Sequence, residues 1–297
     1  MRRLLVLALV LAGCGGAPAP SQTALRKVDD FPLYELTSTA ATPSVYAGLK
    51  TPGWACTVFF GAGGDPILGR NFDFHDEPAL LLRHHPPGAY ASISMVDVSY
   101  LGFDRGHLDG ISAEGLKGAA AIPFDGMNEK GVAVAMAAVP DARSGPGRAT
   151  GSLGVMRLVL DRAASAGEAV ALFRRTAVDF TGGPPLHYMV ADASGASAVV
   201  EYVGGQVRVL GRGARPWQAM TNFVLTGARG ADDRYRTAKA GLERSRGRLT
   251  PASTLALLRD VRQPITRWSV AYDLRARVAH VVMGQKYGGR ALTFAVS

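Results

Sequence analysis

The chain has 297 residues, of which 47% are hydrophobic and 19% charged, a composition typical of globular proteins rather than disordered or fibrous ones. Its formal charge of +9 comes from scattered basic residues, so the sequence does not predict nucleic-acid binding. Its six histidines and two cysteines have no recognisable metal-ligand spacing, and we expect neither a metal nor another cofactor.

The first residues have the features of an export signal. Two arginines precede an apolar run over residues 4–12 that is too short to span a bilayer. The run ends in Leu-Ala-Gly-Cys, which resembles the lipobox of bacterial lipoproteins, although a chance cysteine is the alternative. We expect residues 1–13 to be a signal peptide and Cys14 to carry a lipid that anchors the protein to the cell envelope. Small and proline-containing residues then suit a flexible tether.

Beyond the tether, short apolar runs closed by Gly, Asp, Asn or Pro predict strands over residues 54–60, 67–74, 90–103 and 131–139. The first two of these flank a GAGGDP turn and predict a hairpin. The periodicity then becomes helical over 151–178, where Ser165 is expected to cap the second of two helices.

Strands are predicted again in the second half of the chain, over residues 186–192, 196–203 and 206–210. Two helices follow, one over 231–246 and one opened by Thr250 and Pro251, and three strands close the chain over 267–274, 277–284 and 291–296. This order of strands and helix pairs predicts a layered α+β domain with antiparallel sheets between helices.

Cys56 stands at the start of the first predicted strand. If Cys14 carries a lipid, Cys56 has no disulfide partner, and a buried inert cysteine and a reactive thiol fit equally well. A papain-like nucleophile would need a helix N-terminus and a histidine base, which this pattern does not offer. Cleavage of the bond between Ala55 and Cys56 would instead create an α-amine with a pKa of about 7.7–8.0, suited to act as a base.

The segment CTVFFGAGGDPILGRNFDF, residues 56–74, resembles the start of the choloylglycine hydrolase family of N-terminal-nucleophile (Ntn) enzymes, which includes penicillin V acylases and bile salt hydrolases. Acid ceramidase and the penicillin-forming acyltransferases are more distant relatives. The resemblance continues through PFDGMNEKGVAVAM, LHYMVADASGASAVVEY, MTNF and DDRYR. It implies a four-layer αββα sandwich over 56–297, a propeptide over 14–55, self-cleavage before Cys56, and hydrolysis of a linear, non-peptide C–N amide bond in an N-acyl substrate.

The resemblance also implies roles for single residues. Cys56 matches the nucleophile, Arg70 the arginine beside it, and Asp73 the carboxylate that holds the new α-amine. Asn222 matches the side-chain donor of the oxyanion hole, and Arg234 the second active-site arginine. Taken singly, these last two also fit a turn residue and an exposed helix position. Because alternation puts Arg70 and Asp73 on opposite faces of a strand, we expect a bend or bulge between them.

One position departs from the family pattern. Where many relatives carry Asn or Tyr after the NExG segment, this chain has Ala138, which has only its backbone amide to offer as a second oxyanion donor. Two alternatives to a hydrolase stay open: an acyltransferase on the same fold, and a non-catalytic lipid-anchored binding protein. The expected partners are a small-molecule N-acyl amide and the membrane through Cys14, with homo-oligomerisation left open.

Overall fold

The structure, a computed structural model, describes residues 24–42, 55–75, 78–108, 110–145, 149–181, 183–227 and 230–296. The predicted signal peptide, the lipidation site at Cys14 and part of the predicted propeptide lie outside the described residues. Within the described ranges, no helix combines the length and apolar character needed to cross a bilayer.

The described residues form strands and helices that alternate as the sequence predicts. The strands are β1 (Arg26–Asp29), β2 (Leu33–Ser38), β3 (Ala55–Gly61), β4 (Ile67–Asp73), β5 (Ala79–His84), β6 (Ser92–Asp97), β7 (Asp125–Asn128), β8 (Ala133–Ala138), β9 (Ala149–Gly151), β10 (Ala177–Asp179), β11 (Leu186–Ala191), β12 (Ser197–Val203), β13 (Gln206–Gly211), β14 (Trp217–Met220), β15 (Thr266–Asp273), β16 (Val278–Met283) and β17 (Leu292–Ala295). The α-helices are α1 (Gly154–Arg162), α2 (Ala166–Arg175), α3 (Asp233–Ser245) and α4 (Pro251–Asp260).

Two large sheets form the centre of the fold. One has the order β1-β2-β5-β6-β7-β8-β11-β12-β13, the other β14-β3-β4-β15-β16-β17, and β9 and β10 form a short separate pair. Within the two large sheets every described pairing is antiparallel except that of β2 with β5. Helices α1 and α2 pack on the nine-stranded sheet, and α3 and α4 on the six-stranded one. This arrangement confirms the predicted four-layer αββα sandwich.

Both predicted helix caps are present. The Ser165 hydroxyl accepts from the Glu168 backbone N–H at 3.1 Å, and the Glu168 carboxylate accepts from the Ala164 N–H at 2.8 Å. At the start of α4, Thr250 and Ser253 bond each other reciprocally, and Pro251 takes the first helical position. Since these side chains satisfy backbone donors that the helix itself leaves free, they fix where each helix begins.

The β3–β4 hairpin places Cys56 between the sheets. Cys56, Val58 and Phe60 belong to the core that both sheets share, whereas Phe59 on the other face packs under α3 and α4. A Cβ atom on Gly69 would lie 2.7 Å from the Phe59 ring, so the absence of a side chain there leaves room for the ring against β4. Strand alternation thus directs the Cys56 side chain to the interior face.

The structure differs from the sequence prediction in several places: the segment predicted as helical over 151–178 ends in strand β10, and the sequence pattern does not predict β9 or β14. The strand predicted over 90–103 ends at Asp97, because the Asp97 side chain accepts from the Ser99 N–H and caps a 3₁₀ turn over Val98–Leu101. In addition, β1 and β2 lie inside the segment predicted as tether and propeptide, and β2 extends the nine-stranded sheet beside β5.

Candidate active site

The Cys56 thiol lies on β3 with no solvent exposure. The Nη2 atom of Arg70 lies 3.6 Å from its Sγ, and the backbone N–H of Asp73 also donates to this sulfur. The Arg70 guanidinium stacks on the Phe72 ring, 4.7 Å from its centroid. The structure therefore brings Arg70 to the sulfur, as the sequence predicts.

A buried carboxylate holds Arg70 in this position. Arg70 forms an ion pair with Asp125, and neither side chain is exposed to solvent. Asp125 also accepts from Trp268 Nε1 at 3.0 Å and from the Tyr272 hydroxyl at 2.5 Å. Sequence reasoning missed Asp125, Trp268 and Tyr272. The available signal was an acidic residue inside the otherwise apolar segment PFDGM, since a carboxylate in a buried strand needs a partner.

The environment of the sulfur disfavours its charged form in the uncut chain. Burial raises the pKa of the Cys56 thiol above its ordinary value, and the positive charges of Arg70 and Arg234 offset only part of that effect. The expected thiolate-favouring influence of Arg70 is present but is outweighed. The thiol form of Cys56 is therefore favoured in this environment.

A second set of contacts holds the Cys56 backbone. Its N–H donates to Asn222 Oδ1 at 2.8 Å, and its carbonyl accepts from Arg234 Nη1 at 2.8 Å. Arg234 Nη2 also donates to Asn222 Oδ1 at 2.8 Å and to Asp232 at 2.7 Å. Asn222 Nδ2 donates to the Ala138 carbonyl at 2.8 Å, which fixes the amide orientation because its oxygen faces two donors.

The Asp73 carboxylate lies beside Arg234, and only one of its two oxygens accepts a hydrogen bond from the described residues. Its Oδ1 accepts from the Thr266 hydroxyl at 2.5 Å. Its Oδ2 lies 3.6 Å from Arg234 Nη1 and has no hydrogen-bond partner among the described residues. Burial raises the pKa of Asp73 to about 6, although Thr266 and both neighbouring arginines act in the opposite direction. A buried carboxylate in this state favours a cationic hydrogen-bond donor.

The bulge expected between Arg70 and Asp73 is absent from β4. The register with β3 is regular from Ala55 opposite Asp73 to Gly61 opposite Ile67. Both residues can still serve Cys56, because Arg70 approaches its sulfur on the interior face while Asp73 lies near its backbone at the end of the strand.

The irregularity lies instead on the neighbouring strand β15. The register of β15 against β4 shifts between Thr266 and Trp268. Residues two apart share a face of a regular strand, but this extra residue sends the two side chains to opposite faces. Thr266 consequently bonds Asp73, and Trp268 bonds Asp125.

The sequence profile of the linear amide C-N hydrolases, choloylglycine hydrolase family, matches residues 61–222, more than half of the chain. The chain belongs to this family. Arg70, Asp73 and Asn222 lie inside the matched range, and Cys56 and Arg234 lie outside it. A comparison with curated protein sequences finds no match.

Three solved structures resemble the fold of this choloylglycine hydrolase family member. Penicillin V acylase from Agrobacterium tumefaciens has a TM-score of 0.55 at 19% identity, over 77% of this chain and 83% of its own. A mutant conjugated bile acid hydrolase from Clostridium perfringens has a TM-score of 0.54 at 15% identity, over 82% of this chain and 97% of its own. The Caenorhabditis elegans ortholog of N-acylethanolamine-hydrolyzing acid amidase has a TM-score of 0.53 at 18% identity, over 82% of this chain and 100% of its own. These similarities establish the shared Ntn-hydrolase fold.

We predict that ionisation of Asp73 destabilises the uncut chain. The folded protein keeps this proton up to a pH of about 6, whereas the unfolded chain loses it near its ordinary pKa. The folded state then binds more protons, so stability should fall as pH rises between these two values. Two pKa units correspond to roughly 3 kcal/mol.

Chemical unfolding of the uncut variant Cys56→Ala, at several pH values across this interval, measures the effect. Adding Asp73→Asn should remove most of the decline, because the amide does not titrate. Asp233→Asn, at an almost fully exposed carboxylate on α3, is the matched control and should leave the decline in place. Equal pH dependence with and without Asp73→Asn would contradict the prediction.

Proposed function

We propose that the protein hydrolyses a linear amide C–N bond in an N-acyl substrate, with Cys56 as an N-terminal nucleophile freed by cleavage after Ala55. Membership of the family supports amide hydrolysis in general. The finer proposal rests on one observation, the convergence of partners on Cys56. Arg70 lies 3.6 Å from its sulfur, Asn222 lies 2.8 Å from its nitrogen, and one oxygen of the buried Asp73 accepts no hydrogen bond from the described residues.

The proposed cleavage uses the same atoms that later act on substrate. In the uncut chain the nitrogen of Cys56 belongs to the bond to be broken. Attack of Sγ on the carbonyl carbon of Ala55 forms a C–S bond, and the thiol loses its proton. The C–N bond then breaks, and the Cys56 nitrogen takes up a proton to become an amine. Water then hydrolyses the resulting thioester, which restores the thiol and leaves a carboxylate on Ala55. The liberated α-ammonium would donate to Asp73 Oδ2 the hydrogen bond that this oxygen does not receive from the described residues.

During turnover, the free α-amine of Cys56 accepts the thiol proton as the sulfur attacks the substrate carbonyl. Its ordinary pKa of about 7.7–8.0 suits a base near neutrality. The resulting α-ammonium passes this proton to the substrate nitrogen, which leaves as an amine. Water then hydrolyses the thioester, which releases the free acid and restores the thiol. Arg70 stabilises negative charge on the sulfur, and Asn222 Nδ2 is proposed to donate to the oxyanion. Transfer of the acyl group to another amine would use the same residues.

The amides to test first follow from the proteins with similar folds. Those proteins are named for penicillin V, for conjugated bile acids and for N-acylethanolamines. All three substrates carry an acyl group on nitrogen, so one panel containing them probes this chemistry. Release of the free acid indicates hydrolysis, and formation of a new amide with added amine indicates transfer.

Cys56→Ala should abolish both self-cleavage and hydrolysis, because both steps need its sulfur. Gel analysis of the purified chain measures cleavage, and the amide panel measures turnover. Cys14→Ser, which changes the chain's other cysteine, is the matched control and should keep both activities. Amide hydrolysis by purified Cys56→Ala would exclude the proposed nucleophile. A wild-type chain that is uncut and inactive on every amide would favour the binding-protein alternative.

Asn222→Ala should lower kcat by roughly 10²- to 10³-fold, the usual effect of losing one oxyanion donor. It should also slow self-cleavage, because Asn222 Oδ1 accepts from the N–H of the bond to be cut. Asn128→Ala is the matched control: Asn128 is buried but bonds the carbonyls of Leu160 and Ala163 near the end of α1. That variant should lose stability yet keep the kcat of its folded fraction. Unchanged turnover in Asn222→Ala would remove Asn222 from the mechanism.

We further propose that the N-terminal piece stays bound after cleavage. Strand β2 pairs with β5 over six residues, and its Leu33 and Leu36 are buried. Burial of one such side chain contributes about 1.5–3 kcal/mol. Glu35 accepts from Arg83 at 2.8 Å, and Thr42 donates to Asp161 at 3.1 Å. Release would break these contacts and expose the unpaired edge of β5.

Gel filtration of the processed protein measures retention. Both pieces should co-elute under native conditions and separate in denaturant. Leu36→Asp, which puts a charge into the buried interface, should promote dissociation, whereas Lys27→Asp on exposed β1 is the control. If Cys14 is lipidated, membrane fractions should contain both pieces. A catalytic piece that elutes alone would contradict the proposal.

A further inference from the structure

The loop that carries Asn222 is held at both ends by side chains of the opposite sheet. This loop follows β14 and runs from Thr221 to Leu225. At its start, His187 Nε2 on β11 donates to the Thr221 carbonyl at 2.7 Å. At its end, Glu201 Oε1 on β12 accepts from the Leu225 N–H at 2.6 Å. Neither contact involves the Asn222 side chain, so both act through the loop backbone.

His187 and Glu201 also contact each other. They continue the β11–β12 register as cross-strand neighbours, and His187 Nδ1 lies 3.3 Å from Glu201 Oε1. Each side chain is only 1% exposed. Both ring nitrogens of His187 face oxygen atoms, the Thr221 carbonyl on one side and the Glu201 carboxylate on the other, so the orientation of the ring is fixed.

Both oxygens of the Glu201 carboxylate accept hydrogen bonds from residues at the end of this loop. Its Oε2 accepts from the Thr226 N–H at 3.0 Å and from the Thr226 hydroxyl. Burial alone would raise the pKa of Glu201, but its donors hold it below the ordinary value, which keeps the carboxylate ionised. A buried polar or charged pair is often no more stabilising than well-packed apolar residues. Stability by itself therefore gives little reason for such a pair at this place.

We propose that His187 and Glu201 are positioning residues that fix Asn222 against the Cys56 backbone. The inference rests on the proposed function for Cys56 and Asn222. The pair clamps the loop from β11 and β12, while Asn222 bonds Ala138 on the adjacent strand β8. One sheet thus sets the place of a side chain that acts on the other.

Two substitutions at His187 separate positioning from packing. His187→Leu removes the donor to Thr221 and should lower kcat by about 10- to 100-fold, the range expected when a catalytic group is displaced by about 1 Å. KM should change little. His187→Gln keeps a side-chain donor at this place and should restore kcat to within a few-fold of wild type. Both variants remove the imidazole ring, so a role that needs the ring itself, rather than its hydrogen bond to Thr221, would affect them alike.

Asp192→Asn is the matched control. Asp192 is a buried carboxylate at the far end of the same β11–β12 hairpin, where it accepts from Ala166 and Ser194 backbone N–H groups. This variant should lose stability without losing kcat. All assays are run well below each variant's melting temperature. Wild-type kcat in folded His187→Leu would overturn the inference, as would equal losses in the Leu and Gln variants.

A crystal structure of His187→Leu in the uncut Cys56→Ala background gives a readout independent of activity. The inference predicts that Asn222 moves and loses its 2.8 Å bonds to the residue 56 nitrogen and the Ala138 carbonyl. Retention of both bonds would overturn it. An inactive, uncut wild-type protein would instead contradict the proposed function, and this structure would still decide whether His187 positions Asn222.

Discussion

The buried carboxylate of Asp73 is the constraint on which the account of this site depends. Its Oδ2 has an arginine nitrogen 3.6 Å away and no hydrogen-bond partner among the described residues. Burial disfavours its charge and raises its pKa to about 6. An α-ammonium on Cys56 would supply the missing donor and stabilise the ionised form. The chain thus holds a partner for the α-ammonium that the proposed cleavage would create, which links the fold to the proposed chemistry.

Both sheets contribute side chains to the candidate site. The six-stranded sheet provides Cys56, Arg70 and Asp73 from one hairpin, whose regular register fixes their relative places. The nine-stranded sheet provides Asp125, which anchors Arg70 from across the interior. Contacts between the sheets therefore determine the site as much as contacts within the hairpin. Changes in packing between the sheets would therefore move side chains of the candidate site even where none of those side chains is substituted.

The sequence predicts the layered fold because strand and helix periodicities alternate clearly along the chain. It predicts the helix starts at Ser165 and Thr250 because capping chemistry is local. Arg70 and Asp73 could be assigned through the family motif, and the structure brings them to Cys56 and places Asn222 and Arg234 on its backbone.

What sequence reasoning missed depends on contacts between distant segments. Asp125 contacts Arg70, and Glu201 contacts His187, only in the folded chain, and no spacing along the sequence predicts these pairs. The sequence predicts a bulge between Arg70 and Asp73 on β4, but the irregularity lies on β15, because the pattern of a single strand does not report the register of its neighbour. The sequence pattern does not predict β2, because this strand is a short run within the segment expected to be tether and propeptide.

The central claim is that Cys56 acts through its own liberated main-chain nitrogen. N-terminal sequencing of every piece of the purified, active protein tests this most directly. The account predicts a piece that begins Cys-Thr-Val-Phe-Phe, the sequence from residue 56 onward. An active protein whose chain continues unbroken through Ala55 and Cys56 would contradict it.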